Sequence, residues 1–277
     1  MDLSAARPIT AEEDSTMNSI ATVDQLKAMR FSAMAKELED QMNDLESYRQ
    51  LGFEERFGLL VDAEWNRRQE NKLKKRIHDA NLWYPAANVA EIEYLPERKL
   101  DRAEMVRYST CRYIEQGHHI ILKGATGCGK TYIACALGNA ACRKLKAVRY
   151  VRLPVLLEEL MIARAEKNFS KVVKGYAKAD LLILDDWLLQ PLSVTQAYDL
   201  LEIVENRVKR GAVIFCTQYD EQEDWHSRIN TDPENESPIA DAIVDRIVNN
   251  SYVVRIEGPS MRERIGRAAL KRDGEAL

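Results

Sequence analysis

The most constraining feature of this 277-residue chain is the run Gly124-Ala125-Thr126-Gly127-Cys128-Gly129-Lys130-Thr131, set between the apolar Ile120-Ile121-Leu122 and a helical pattern from Tyr132 to Arg143. Its spacing is G-x-x-x-x-G-K-[ST], and a strand before it with a helix after it is the context in which that spacing forms a phosphate-binding loop. Glycines let the backbone curl so that successive N–H groups point at the phosphates. The helix N-terminus adds its dipole. In such a loop Lys130 neutralises charge on the β- and γ-phosphates, and the Thr131 hydroxyl reaches Mg2+. The expected ligands are therefore ATP and Mg2+, with Gly124, Ala125, Thr126, Gly127, Cys128, Gly129, Lys130 and Thr131 as the nucleotide-binding residues.

A loop of this kind needs a sheet to carry it. Short β-rich runs occur at His119 to Lys123, Ala147 to Arg152, Leu181 to Asp185, Ala212 to Thr217 and Tyr252 to Ile256. The first four are each followed by a helical or mixed stretch, and that alternation predicts a five-stranded parallel sheet flanked by helices. The run Leu181-Leu182-Ile183-Leu184 reads as a strand buried on both faces, and it ends in Asp185-Asp186, where open parallel sheets bind ligands. Asp185 is expected to hold the Mg2+ shell, and Asp186 to orient or deprotonate the attacking water.

Ahead of this domain the pattern is helical. Leu26, Met29, Ala33, Met34, Leu38, Met42 and Leu45 recur at three- and four-residue spacing, which predicts one amphipathic helix from Val23. Gly52 closes the turn after it, and a second helix follows through Phe53, Phe57, Leu60, Val61 and Trp65. The organisation expected is a disordered tail over 1–22, a small all-α domain over 23–80, a linker over 81–100 between Pro85 and Pro96, an α/β domain over 101–268 and a tail over 269–277. The N-terminus lacks an apolar run, and no segment approaches the ~20 apolar residues that span a bilayer, so a cytoplasmic protein is expected. Five cysteines without a CxxC pair fit reduced thiols. Cys128, Cys135 and Cys142 repeat every seven residues, too far apart along a helix for one metal ion, and read as small buried hydrophobes. No histidine is assigned a metal.

The phosphate loop, Leu181 to Trp187 and the late string Ala240-Asp241-Ala242-Ile243-Val244-Asp245-Arg246-Ile247 together resemble the IstB family. These are AAA+ ATPases that assist an insertion-sequence transposase and are related to DnaC-type helicase loaders. The resemblance covers about Val23 to Arg267. It implies that Gln218, with Thr217 as second choice, senses the γ-phosphate. It implies too that Arg246 is an arginine finger reaching the ATP of a neighbouring subunit, so that homo-oligomers share their active sites. Arg262 is similar to the family's second sensor and would contact nucleotide. The catalytic set is then Lys130, Asp186, Gln218 and Arg246. Two positions depart from the pattern: Leu188 stands where many relatives have Gly, and Asp186 where AAA+ enzymes usually place Glu. The shorter carboxylate predicts hydrolysis that is slow or depends on DNA and partner.

A net charge of −4 does not itself point to nucleic acid, but its distribution does. Between Asn66 and Arg76 lie Arg67, Arg68, Lys72, Lys74, Lys75 and Arg76 against one Glu, a density that binds phosphate backbone or forms a solvated helix face. A second basic stretch runs through Arg164, Lys167, Lys171, Lys174 and Lys178. The resemblance implies DNA contact there, because initiators and loaders line their DNA channel with a helical element at this point. The predicted partners are duplex DNA, a cognate transposase and further copies of the chain. The predicted function is transposition help through ATP-dependent assembly on DNA. The alternatives are a replicative helicase loader of the DnaC type and a non-hydrolysing, nucleotide-switched DNA scaffold. Trp65, Trp83, Trp187 and Trp225 read as core or interface residues.

Overall fold

The computed structural model describes residues 21–207, 210–230, 238–264 and 266, so the tail expected over 269–277 and all but the last two residues of the one expected over 1–22 lie outside the described residues; residues 21 and 22 are helical instead of disordered. The chain divides into two compact units, Met1–Lys72 and Leu73–Leu277.

In the first unit the single helix expected from Val23 to Leu45 is broken. Residues 21–28 are helical, Arg30 turns left-handed (φ 64), and α1 runs from Ser32 to Asn43. The break has a physical cause at each side. Phe31 N–H donates back to Leu26 O and Arg30 N–H to Lys27 O, closing a Schellman-like cap. On the other side Phe31 has no side chain to cap α1, and buried Glu64 supplies the missing acceptor to Ala33 N–H at 3.0 Å. Short α2 (Leu45–Tyr48) leads to α3, Phe53–Ala80, within which the two units divide. Of the apolar residues expected to bury on α3, only Leu60 does so. Phe53, Phe57, Val61 and Trp65, spaced by four, are exposed.

Leu73 and Ile77 at the end of α3 pack into the core of the second unit. The stretch expected as a linker packs there as well. Leu82, Ala87 and Ile92 are buried, and short 3-10 turns form at Val89–Glu91 and Pro96–Arg98. Asn139 Nδ2 ties the segment down by donating to the carbonyls of Pro85 and Ala87. Apolar anchors every five or so residues, without helical or strand periodicity, explain why this stretch looks like a linker in sequence.

Helices α4 (Arg102–Ser109) and α5 (Arg112–Gln116) precede β1, His119–Gly124. The order continues α6 (Lys130–Arg143), β2 (Val148–Arg152), α7 (Leu153–Ala165), α8 (Phe169–Ala177), β3 (Leu181–Asp185), α9 (Val194–Arg207), β4 (Ala212–Thr217), α10 (Trp225–Ile229), α11 (Pro238–Val248) and β5 (Ser251–Ile256). All pairings are parallel, in the order β2-β3-β4-β1-β5. Alternate strand residues face opposite sides, as pleating requires. Ile120, Leu122, Ile183 and Ile214 pack under Ile133, Ala134 and Leu137 of α6. Ile121, Leu182, Leu184 and Phe215 face Leu156, Leu160, Leu200, Ile203 and Ile243. Of the four tryptophans read as core or interface residues, Trp187 and Trp225 are buried on this second face, whereas Trp65 and Trp83 are exposed. All five cysteines are buried and free, and burial raises the Cys135 and Cys142 thiols to about 11. Among the described residues no helix is long and apolar enough to cross a membrane.

Candidate nucleotide-binding site

The strand order places the C-terminal ends of β3, β4 and β1 side by side, so the two acidic residues, Thr217-Gln218 and the phosphate loop meet at one edge of the sheet. Together with the segment Tyr84 to Arg98 and with Met261 and Arg262, they line a cleft of about 440 Å3. The loop leaves β1 at Gly124 and enters α6 at Lys130. Gly127 and Gly129 take φ of +84 and +97, a region that side chains other than glycine rarely adopt. A Cβ on Gly127 would also lie 2.3 Å from Ser260 Oγ, and one on Gly129 2.9 Å from Arg98 Nη2. Lys130 Nζ donates to the loop's own carbonyls, Gly124 O at 2.7 Å and Ala125 O at 2.9 Å.

Thr131 Oγ1 donates to Asp185 Oδ2 at 2.8 Å, and Tyr150 OH donates to the same oxygen at 2.8 Å. Burial and the neighbouring carboxylate push the Tyr150 phenol far above its ordinary value, so it stays a donor. Two hard oxygen groups, a hydroxyl and a carboxylate, fit Mg2+, which keeps several waters and takes its remaining ligands from phosphate. Among the described residues no group of three or more His, Cys, Asp and Glu is arranged to hold a metal by itself.

Asp186 lies beside this pair with a left-handed backbone (φ 51), and its Oδ2 accepts from Arg152 Nε at 2.6 Å. Leu188 is left-handed too (φ 53), at the position where the resemblance leads one to expect Gly, and it is fully buried. Gln218 Oε1 accepts from Thr126 Oγ1 at 3.0 Å, which puts it over the loop. Thr217 Oγ1 instead donates to Trp187 O at 3.2 Å and ties the end of β4 to the turn after β3. Arg262 lines the cleft, and Met261 N–H donates to Gly127 O at 2.9 Å. Arg246 is elsewhere. It sits on α11, donates to Ala242 O and pairs with Glu205 at 3.0 Å, outside the cleft lining of its own chain.

Sequence reasoning missed Tyr150, Arg152 and Arg98. Tyr150 and Arg152 sit at the end of β2, in register with Ile183 and Asp185, but strand order is not written in local sequence. Arg98 lies in the supposed linker. Tyr84 and Glu91 also come from that segment, and Glu91 Oε2 accepts from Tyr132 OH at 2.9 Å.

The basic residues separate into two groups. Arg67 and Arg68 are counter-ions of buried Glu64, and Arg67 also donates to Ser32 Oγ. Arg164 pairs with buried Asp199 and covers the Phe169 ring. These three have structural partners. Lys72, Lys74, Lys75, Lys167, Lys171 and Lys174 are exposed and make no ion pair among the described residues, and Arg76 is half-buried.

A parallel sheet in the order β2-β3-β4-β1-β5, with a glycine-rich loop after β1 and acids after β3, defines an α/β P-loop protein of the AAA+ class. Solved structures agree at the level of fold. The replication initiator DnaA bound to AMPPCP and single-stranded DNA superposes with a TM-score of 0.53 at 19% identity, covering 68% of this chain and 55% of that one. The DnaC helicase loader gives 0.51 at 19%, covering 64% and 98%. The particular family follows from sequence: residues 24–269 match the family of IstB-like ATP binding proteins, and the chain belongs to it. An insertion-sequence ATP-binding protein of Sinorhizobium fredii is 36% identical over 241 residues, covering 87% of this chain and 95% of the relative. Another, of Pseudomonas fluorescens, is 38% identical over 197 residues, covering 71% and 85%.

Proposed function

We propose that this chain hydrolyses ATP, assembles with further copies on duplex DNA and helps a transposase select and enter its target. The observation that carries the ATPase reading is the Thr131 hydroxyl and Asp185 carboxylate meeting at 2.8 Å beside the phosphate loop. Mg2+ held there would neutralise charge on the β- and γ-oxygens. The chain's own residues supply positioning. Lys130 exchanges the carbonyls of Gly124 and Ala125 for phosphate oxygens. Gln218, already over Thr126, is placed to sense the γ-phosphate, and Arg262 contacts the nucleotide from the C-terminal side. Asp186, once released from Arg152, orients or deprotonates the attacking water. Arg246 acts on the ATP of a neighbouring copy, which its position outside its own cleft supports.

DNA contact is assigned to the exposed lysines 72, 74 and 75 with Arg76, and to Lys167, Lys171 and Lys174. Without base-reading motifs, backbone contact dominates. Sedimentation with ATP, Mg2+ and duplex DNA tests the assembly: a protein that stays monomeric under all three overturns it. One observation favours a second reading, a nucleotide switch without turnover, because the Asp186 carboxylate is occupied by Arg152. An Asp186→Asn variant that hydrolyses ATP as fast as the parent supports the switch.

A further inference from the structure

Arg98 is 3% exposed, yet it makes no ion pair among the described residues. Its Nη1 donates to Glu93 O and its Nη2 to Cys128 O at 2.8 Å, while Nε is buried without a partner. The guanidinium lines the nucleotide cleft. Burial pulls its pKa down. A buried cation held only by carbonyls is costly unless charge arrives from elsewhere.

The contact with Cys128 O has a stereochemical consequence. In a trans peptide the C=O and the following N–H point to opposite sides. Holding Cys128 O therefore turns the Gly129 N–H away from the guanidinium. Gly129 takes a φ of +97 that favours glycine, and a Cβ there would lie 2.9 Å from Arg98 Nη2. Met261 N–H grips the adjacent carbonyl, Gly127 O, at 2.9 Å. The loop's curl is thus set by two anchors, of which only Arg98 is charged.

We propose that Arg98 is a positioning residue for nucleotide, fixing the Cys128–Gly129 peptide of the phosphate loop so that its amide faces the phosphates. This rests on the cleft being the nucleotide site. Because loop amides cradle the α- and β-phosphates, the effect falls on ligands that carry a β-phosphate.

The test is direct titration of the full chain and its Arg98→Met and Arg98→Lys variants with ATP, ADP and AMP, alongside thermal unfolding without nucleotide. Arg98→Met should weaken ATP and ADP by about ten- to a hundredfold, the range for a lost charge-assisted hydrogen bond. AMP should change much less. Arg98→Lys, which keeps the charge and one donor, should recover most of the loss. If Arg98→Met does not fold, the lysine variant carries the test through its ATP-to-AMP affinity ratio, which should fall below that of the parent. Equal weakening of ATP and AMP, or unchanged ATP affinity in the variants, overturns the proposal. Failure of the parent protein to bind ATP at all would instead overturn the site itself.

Discussion

If Asp186 acts on the attacking water, its pairing with Arg152 must restrain basal turnover, and the restraint can be sized. The Nε–Oδ2 distance is 2.6 Å, with the arginine side chain 46% and the aspartate 30% exposed. A fully protected charge-assisted hydrogen bond is worth roughly 1.5–3 kcal/mol. Exposure at this level discounts it toward the ~1 kcal/mol ceiling of solvated ion pairs. Releasing the carboxylate should therefore cost about 1 kcal/mol, a factor of about five. The perturbation is Arg152→Met, which keeps the stem and removes the charge. Because Arg152 is not among the cleft-lining residues, ATP affinity should hold while basal kcat at saturating ATP rises about fivefold. Salt should bring the parent protein toward the variant, since a half-exposed pair is screened. In the Arg152→Met, Asp186→Asn double variant the gain should vanish, and asparagine suits the left-handed backbone at 186, so loss of charge is not confounded with strain. A kcat for Arg152→Met at or below that of the parent, with unchanged ATP affinity, would refute the reasoning and make Arg152 a supporter of hydrolysis.

Arg246→Ala should leave ATP affinity nearly intact in a filter-binding assay and reduce DNA-stimulated hydrolysis by about 10³-fold or more; equal loss of binding would show that Arg246 does not act on a neighbour's ATP. Replacing Lys72 and Lys75 together by Gln should lower the slope of log Kd against log salt for duplex DNA by about 2, and an unchanged slope removes both from the DNA surface. His119 is buried, its Nδ1 accepts from Val213 N–H at 3.2 Å, and burial holds its pKa at about 4. The unfolded chain binds the proton first, so stability is whole above the ordinary pKa of 6.5 and falls as the pH drops from 6.5 to 4, by about 3 kcal/mol in all. His119→Asn, which keeps an acceptor there, should flatten that part of the stability profile in denaturant titrations.

What could be read from the sequence was what lies contiguous along it. The phosphate loop, its flanking strand and helix, and Asp185-Asp186 each declare themselves within a dozen residues, and strand periodicity places all five runs within one residue of their observed ends. Failures arise where a distant group decides a local outcome. Val23 to Leu45 has an unbroken apolar period, yet Glu64, far along the chain, caps a new helix start at Ala33 and lets Arg30 turn left-handed. The exposed Phe53, Phe57, Val61 and Trp65 follow the same logic: a helical period identifies an apolar stripe but not what covers it.

The same distinction separates the parts of the site. Lys130, Thr131 and the acids at the end of β3 are legible because the chemistry fixes their spacing, whereas Arg98, Tyr150 and Arg152 are fixed by strand order and by a segment without periodicity. Each missed residue modulates a legible one: Arg98 holds Cys128 O, Tyr150 donates to Asp185, and Arg152 pairs with Asp186. With Asp185 bonded to Thr131 and Asp186 to Arg152, both acidic groups are satisfied by their own chain. In the proposed reaction, nucleotide and Mg2+ must compete with those bonds. In the assembly proposed above, Arg246, paired with Glu205 outside its own cleft, is the cation that a second copy would bring.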